Sequence, residues 1–265
     1  MTRAPRKGAR TERRAPPREA PAEPFRRPSP DVVVLFGAHA VREALRARRR
    51  KLLTLYATAG AAERIAPLAA EAGLTPQIVE PRALASRLGD ESVHQGLMLE
   101  ARPLPEAEIA DIESNSGLVL ALDQVTDPHN VGAILRTAAA FAVDALVVTE
   151  RHSPDLTGVL AKAASGALEH VTIVSVVNLA RALQQLSQNG YFVVGLDSDA
   201  PAPLADTALP RPLALVLGAE GKGLRRLTRE RCDALARLDM PGPIKSLNVS
   251  NACAVALATL RVKGQ

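Results

Sequence analysis

The sequence predicts an α/β protein in which helices cover both faces of a parallel sheet. From residue 118 onward, short and almost continuously apolar segments alternate with segments of helical periodicity, a pattern typical of parallel strands joined by crossover helices. Hydrophobic residues make up 47% of the chain and aromatic residues only 2%. A core of Ala, Val, Leu and Ile must therefore fill the space between helices and sheet.

The pattern assigns six strands and five helices to this C-terminal region. The strands are expected at 118–123, 145–149, 171–174, 191–196, 213–217 and 234–238, and the helices at 131–141, 157–164, 179–189, 224–231 and 250–262. In such sheets, ligands bind beyond the carboxyl ends of the strands. The polar and glycine-rich motifs of this chain all fall at those ends.

A smaller α/β unit is predicted over 31–102, with strands at 31–36, 51–57 and 96–100 and helices at 38–50 and 61–72. The first helix ends in a basic run of Arg46, Arg48, Arg49, Arg50 and Lys51. This run is interpreted either as a contact to phosphate or as a solvated helix end with a favourable dipole interaction. Residues 103–117 are polar, contain two prolines and are predicted to link the two units, the second spanning 118–265.

The first 30 residues are expected to form a disordered tail. They hold seven prolines and nine Lys or Arg against three Glu, a net charge of +6, while the whole chain carries +5. Such a segment buries too little apolar surface to offset its chain entropy. Its arginines can raise affinity for phosphate backbones, and a dispensable extension is an equally open interpretation.

The remaining composition excludes several classes of protein. Cys232 and Cys253 have no metal-ligand spacing and are expected to be ordinary buried thiols. No apolar run approaches the ~20 residues of a membrane span, and the basic, proline-rich amino terminus lacks the apolar core of a signal peptide. We therefore expect a soluble cytoplasmic protein without a metal site and without a membrane partner.

The first polar motif, LDQVTDPHNVGAILRTAAA, follows the strand at 118–123. Asn130 is placed to cap the next helix, and on its own that structural role is favoured. Arg136 lies six residues later among apolar residues, where a guanidinium needs a partner because burying it unpaired is unfavourable. A salt bridge to a nearby carboxylate is the simplest interpretation of Arg136.

The second motif, LALVLGAEGKGL, places Gly218, Gly221 and Gly223 just beyond a strand. Glycines there permit positive φ and a close approach of backbone to a ligand, or form a simple turn. Their order differs from both the dinucleotide fingerprint and the phosphate-binding P-loop, although Asp239 imitates the ribose-binding acid of a dinucleotide fold. Glu220 at the loop tip is placed to pair with Arg136 or to orient a substrate.

The third motif, LDMPGPIKSLNVSNACAVAL, runs from a strand end into a stiff Pro-Gly-Pro loop and a final helix. Ser250 or Asn251 is the expected helix cap, which leaves other polar residues unexplained. The rigid loop offers backbone amides and carbonyls that could hold the edge of an adenine. Those polar residues include Ser246 and Asn248, beside Met240 and Leu247.

Together the three motifs resemble the SpoU/TrmH family of RNA ribose 2′-O-methyltransferases within the SPOUT superfamily. The resemblance covers 118–262 and rests on NVGAILRTA, VLGAEGKGL and PGPIKSLNVSNACAVAL. In addition, VVLFGAHAVREAL resembles the opening of the small L30e-like substrate-binding domain of the branch that methylates a guanosine of 23S ribosomal RNA.

The resemblance implies a fold, a cofactor and a set of site residues. The fold is a SPOUT domain with a C-terminal trefoil knot, preceded by the L30e-like domain, in a homodimer whose active site is completed across the interface. The cofactor is S-adenosylmethionine and the partner is structured RNA. The implied catalytic residues are Asn130, Arg136, Glu220, Ser246 and Asn248, and the implied cofactor-binding residues are Gly218, Gly223, Leu238, Met240 and Leu247.

Other functions stay open at this point. Transfer-RNA ribose methyltransferases share the same three motifs. A ribosome-assembly factor that binds RNA without catalysis could keep the fold, and a nucleotide-dependent oxidoreductase could use the glycine loop.

Overall fold

The chain forms two β-sheets, one in each part of the sequence. A computed structural model describes residues 25, 29, 31–89, 92–113, 116–150, 166–243 and 246–263. The predicted helix at 157–164 and almost all of the predicted disordered tail lie outside these residues. No described helix is long and apolar enough to cross a membrane.

The first sheet has four strands in the order β1-β4-β2-β3. Strand β4 runs antiparallel to β1 and β2, while β2 and β3 are parallel. Its elements are β1 (Val33–Phe36), α1 (Ala38–Ala47), β2 (Leu52–Ala57), α2 (Ala59–Glu71), β3 (Gln77–Ile78), α3 (Pro81–Leu88) and β4 (Leu97–Ala101). The short elements β3 and α3 escaped the sequence prediction because neither is long enough to show a periodic pattern.

The second sheet has six parallel strands in the order β10-β8-β9-β5-β6-β7. Its strands are β5 (Leu118–Asp123), β6 (Ala145–Thr149), β7 (Thr172–Val176), β8 (Phe192–Leu196), β9 (Leu213–Gly218) and β10 (Ala234–Ala236). Its helices are α4 (Pro128–Ala140), α5 (Leu179–Gln188), α6 (Arg226–Arg229) and α7 (Val249–Lys263). The predicted parallel α/β sheet is confirmed.

Both faces of this sheet are buried, as the continuous apolar strands indicate. Leu120 and Leu122 of β5 face a core that includes residues of α4 and α7. Val119 and Ala121 of the same strand face the opposite core, which includes residues of α5. Successive side chains of a strand point to opposite faces, so a strand buried on both sides needs apolar residues at every position.

Two helices begin at caps that differ from the predicted ones. Helix α4 starts at Pro128, and the side chain of Asp127 accepts the His129 amide at 2.9 Å. Asn130 is therefore inside the first turn and is not the cap. At α7, the Asn248 side chain accepts the Ser250 amide at 3.0 Å, which replaces the predicted caps Ser250 and Asn251. An Asp followed by Pro at the first helical position is a favourable helix start.

The basic run after α1 joins the two parts of the chain. Arg50 Nε donates to Glu169 Oε1 at 2.6 Å, and the side chains are only 6% and 1% exposed. Arg49 donates to Thr172 Oγ1 at 3.3 Å at the start of β7. The interpretation of a solvated helix end is therefore wrong at Arg50, whose charge is buried against a carboxylate distant in sequence.

The packing of Phe25 and of the two cysteines bears on two further expectations. Phe25 lies in the segment predicted to be disordered, but its ring packs edge-on against Tyr56 with centroids 5.0 Å apart, so that prediction does not hold at Phe25. Cys253 is buried and Cys232 is half-buried, and both are free thiols as predicted. Burial raises the pKa of each thiol to about 12.

Candidate functional site

The first two motifs leave the sheet side by side. Strands β5 and β9 are neighbours, with Asp123 paired in register to Gly218. The order of the strands along the sheet reverses at this pair, since β6 and β7 lie on one side and β8 and β10 on the other. Crevices for ligands form at such reversal points. A cavity of about 400 Å³ opens there, lined in part by Asp127, Asn130, Glu220 and Val249, and we call it the Asn130 cavity.

Glu220 joins the three motifs through hydrogen bonds. Its Oε1 accepts from Asn130 Nδ2 at 3.1 Å, from Asn248 Nδ2 at 2.6 Å and from the Val249 amide at 3.2 Å. Asn248 Nδ2 also lies 2.9 Å from Asn130 Oδ1. Three predicted catalytic residues, separated by up to 118 positions, thus form one polar cluster. Asn130 and Glu220 are therefore not explained by local capping or turn formation.

Asp123 and Arg225, which the sequence pattern alone did not indicate as site residues, hold the second loop in place. The buried carboxylate of Asp123 accepts from Arg225 Nε at 2.6 Å and from the Arg225 amide at 2.9 Å. This contact ties the far end of the glycine loop to the carboxyl end of β5. Asp123 ends an otherwise apolar strand, and a charged residue at that position was the available signal.

Gly218 is required because the loop folds back on itself. A Cβ at Gly218 would lie 2.3 Å from the carbonyl carbon and 2.5 Å from the carbonyl oxygen of Gly223. The Gly223 amide donates to the Ala219 carbonyl at 2.9 Å and closes the turn. Gly221 and Gly223 have φ of 74° and 63°, so the loop uses the positive φ that glycine permits.

Arg136 does not join the polar cluster within one chain. It lies on an exposed face of α4 and makes no hydrogen bond or ion pair with any residue that the structure describes. Arg136 lies six helical residues after Asn130, a separation of ~9 Å along the helix axis and about 120° around that axis. The expectations of a salt bridge to a carboxylate and of a pairing with Glu220 are wrong here, because the guanidinium is solvated and Glu220 is occupied by two amide side chains and a backbone amide.

The remaining predicted site residues lie in the two segments that follow β9 and β10. Strands β9 and β10 flank β8, so they stand ~10 Å apart at the normal strand spacing. Leu238 and Met240 are half-buried, while Ser246 and Gly223 are exposed. Leu247 is 41% exposed. Backbone groups and partly exposed apolar side chains are the groups that suit an adenosine, whose base has apolar faces and a polar edge.

The part of the chain that the structure covers offers no set of metal ligands. There, no group of three or more His, Cys, Asp or Glu side chains is arranged to hold a metal ion.

Sequence comparisons match both parts of the chain. Residues 117–258 match the SpoU rRNA Methylase family, and residues 34–107 match a family described as RNA 2′-O ribose methyltransferase substrate binding. A 23S rRNA (guanosine-2′-O-)-methyltransferase RlmB from Pasteurella multocida is 43% identical over 233 residues, which cover 84% of this chain and 95% of that protein. Its namesake from Pseudomonas aeruginosa is 41% identical over 231 residues, covering 84% and 93%.

Solved structures share the fold. A TrmH-family protein from Porphyromonas gingivalis superposes with a TM-score of 0.75 at 26% identity, covering 88% of this chain and 90% of that one. The SpoU methyltransferase AviRb from Streptomyces viridochromogenes gives a TM-score of 0.75 at 21% identity, covering 89% and 91%. Likeness at this level extends over both sheets.

Proposed function

The chain belongs to the SpoU family of RNA methylases, and from this premise we propose that it methylates the ribose 2′-hydroxyl of a guanosine in 23S ribosomal RNA. The methyl donor is S-adenosylmethionine. Relatives that carry this activity in their names are 40–43% identical over 84% of the chain. We place the reaction in the cytoplasm, where ribosomal RNA is made.

The polar cluster of Asn130, Glu220 and Asn248 carries the proposal. A carboxylate oxygen that accepts three hydrogen bonds is fixed in position, and it fixes the two amide side chains in turn. This gives a rigid polar wall for a ribose at the carboxyl end of β5. Reactions that need oxygen, carbon and sulfur in a line gain most of their rate from such positioning.

The cofactor supplies an electrophilic methyl group bonded to a positively charged sulfur. The loops carrying Gly218, Gly223, Leu238, Met240 and Leu247 would hold its adenosine. When bound, the cofactor would supply that methyl group to a ribose oxygen held by the polar cluster of Asn130, Glu220 and Asn248, and the hydroxyl proton would pass to solvent. Ser246 and Asn248, both from the third motif, would line the catalytic pocket.

Arg136 acts on the reacting hydroxyl as a cation, and not as a base. A guanidinium has a pKa above ~12 and does not accept protons near neutral pH. It can stabilise the negative charge that develops on the ribose oxygen or hold an adjacent phosphate through two hydrogen bonds.

A homodimer supplies the second half of the site in this proposal. Within one chain Arg136 points away from Glu220, so a guanidinium from a second copy is needed to complete the cluster. On α7, which packs against α4, Val255 and Val262 are 46% and 74% exposed. These two exposed apolar side chains, seven residues apart on one helix, support a symmetric contact between two copies of the chain.

The proposed domain organisation follows the family. Residues 31–102 form an L30e-like domain that binds the RNA substrate, residues 103–117 connect it, and residues 118–265 form the SPOUT domain with its C-terminal trefoil knot. The separate four-stranded sheet and the match at 34–107 support the first assignment. The hydrogen bonds of Asn248 and of the Val249 amide to Glu220, which join the segment leading into α7 to the loop after β9, support the knot.

Transfer of a tritiated methyl group from S-adenosylmethionine to unmodified RNA tests the function. We expect incorporation into 23S transcript and none into transfer RNA, with the label recovered on a guanosine 2′-oxygen after nuclease digestion. Arg136→Lys should lose most of the transfer while keeping cofactor affinity by calorimetry. Label on transfer RNA alone would assign a tRNA enzyme, and RNA binding without label would assign an assembly factor.

A further inference from the structure

A second cavity of about 450 Å³ lies at the carboxyl ends of β6 and β7. It is lined by Thr149, by the first residues of α5 and by residues 225–228, and we call it the Thr149 cavity. Its size falls within the usual range for ligand sites. None of the residues implied by the methyltransferase motifs lines it.

Unused hydrogen-bonding groups of two kinds line the Thr149 cavity. Thr149 is 5% exposed, and its Oγ1 is buried without a hydrogen-bond partner among the described residues. Thr149 follows Val147 at an alternate position of β6, so its side chain points to the face covered by α5. A buried hydroxyl without a partner is unfavourable, and a ligand that accepts its hydrogen would relieve that penalty.

The amino terminus of α5 supplies the second kind of unused group. Within the described ranges, the side chain of the cap residue Asn178 accepts the Arg181 amide, at 3.1 Å, and no other. The amides of Leu179 and Ala180 bond no acceptor in the described part of the chain. Free amides at a helix amino terminus, together with the helix dipole, bind phosphate groups.

Charge and shape favour a nucleotide over a simple anion. Arg225 uses Nε for Asp123, its side chain is 44% exposed, and its terminal nitrogens bond no described residue. Arg226 is 75% exposed, and Glu230 is its partner among the described residues. Two apolar side chains that also line the cavity, Val177 and Leu227, are 73% and 55% exposed. Cations and amides suit a phosphate, and exposed apolar side chains suit the face of a base.

We propose that the Thr149 cavity binds a nucleotide of the RNA substrate that neighbours the methylated one, through its phosphate and base. The phosphate would accept from Thr149 Oγ1 and the amides of α5, with Arg226 beside it, while the base rests against Val177 and Leu227. This inference rests on the proposed function. The loop of residues 219–225 connects the two cavities, because Glu220 lines the Asn130 cavity and Arg225 lines the Thr149 cavity.

Binding of unmodified 23S transcript without cofactor, measured on filters across a salt series, tests this site. Thr149→Val should weaken binding about fivefold through one lost hydrogen bond. Arg226→Ala should weaken it about tenfold and reduce the slope of log affinity against log salt by about one, as expected for one phosphate contact. Arg231→Ala is the matched control, since Arg231 is exposed nearby but does not line the cavity, and should match the wild type.

Melting temperatures give an independent readout. Thr149→Val should raise the melting temperature of the free protein, because it removes a buried hydroxyl that has no partner. The dinucleotide pGpG should raise the melting temperature of the wild type and not that of Arg226→Ala. A lower melting temperature for Thr149→Val would mean that the hydroxyl is already bonded, and equal stabilisation by inorganic phosphate would mean a simple anion site. Either result overturns the proposal.

The two proposals fail in different ways. If the wild type methylates 23S RNA but neither substitution changes RNA affinity or its salt dependence, the cavity is not an RNA site and the function stands. If affinities change as expected while no methyl group is transferred, the cavity stands and the catalytic function falls.

Discussion

Removing Arg50 should destabilise the protein more than any other single change in its basic run. The Arg50 and Glu169 side chains are 6% and 1% exposed, with Nε and Oε1 2.6 Å apart. Arg50→Ala leaves the Glu169 carboxylate buried without its cation. Uncompensated buried charges of this kind cost about 3–5 kcal/mol of unfolding free energy.

Urea unfolding followed by circular dichroism measures this loss. With a denaturant slope of about 3 kcal/mol/M, the transition midpoint should fall by about 1–2 M. Arg46→Ala is the matched control, because Arg46 is 62% exposed in its pair with Glu43 and such exposed pairs contribute at most about 1 kcal/mol.

The double substitution Arg50→Met with Glu169→Leu separates charge burial from packing. Replacing a buried ion pair by apolar residues of similar volume is often neutral or stabilising, and one carboxylate oxygen of Glu169 is already buried without a partner. The double variant should therefore recover most of the stability lost in Arg50→Ala. A midpoint for Arg50→Ala within experimental error of the Arg46→Ala value would refute the argument.

Three further predictions concern the glycine loop, the shared site and the contact between the two parts of the chain. Gly218→Ala should abolish cofactor binding in calorimetry and lower stability by about 1–3 kcal/mol, since its Cβ would meet loop backbone at 2.3 Å. Gly60→Ala is the control, because Gly60 lies in α2 and a Cβ there would meet nothing closer than Arg64 Nη1 at 3.8 Å. The control should do neither, and equal effects of the two substitutions would contradict the reasoning. Mixing inactive Arg136→Lys and Glu220→Gln subunits should restore roughly a quarter of wild-type activity if one site draws on both copies of a symmetric dimer, whereas no recovery would place both residues in one chain's site. Burial alone would raise the pKa of Glu43, but hydrogen bonds from His170 and Arg46 outweigh it and hold the pKa below the ordinary 4.5. A pKa that is lowered in the folded state gives stability that is present above pH 4.5 and lost as the pH falls through the folded value. In thermal melts, the difference in stability between wild type and Glu43→Gln should therefore be full near about pH 6 and disappear on acidification. A difference that grows in acid would contradict the lowered pKa.

The sequence was informative wherever the physics is local. Strands buried on both faces must be apolar at every position, so the parallel sheet could be predicted from residues such as 118–123 alone. Positive φ at Gly221 and Gly223 likewise follows from their place in a tight turn. The start of α4 is also encoded locally, because Asp127 followed by Pro128 is a strong start signal, and Asn130, the predicted cap, lies inside the first turn.

The site depended on strand order, which no local pattern contains. Asn130 and Glu220 meet because β5 and β9 are neighbours at the point where the strand order reverses. Two of the bonds that stabilise the arrangement, from Arg225 to Asp123 and from Arg50 to Glu169, join residues more than 100 positions apart. By itself, the sequence determined which segments carry the chemistry and that they end strands. Only the tertiary structure decided which side chains share hydrogen bonds, because partners brought together by packing leave no periodic signal in the chain.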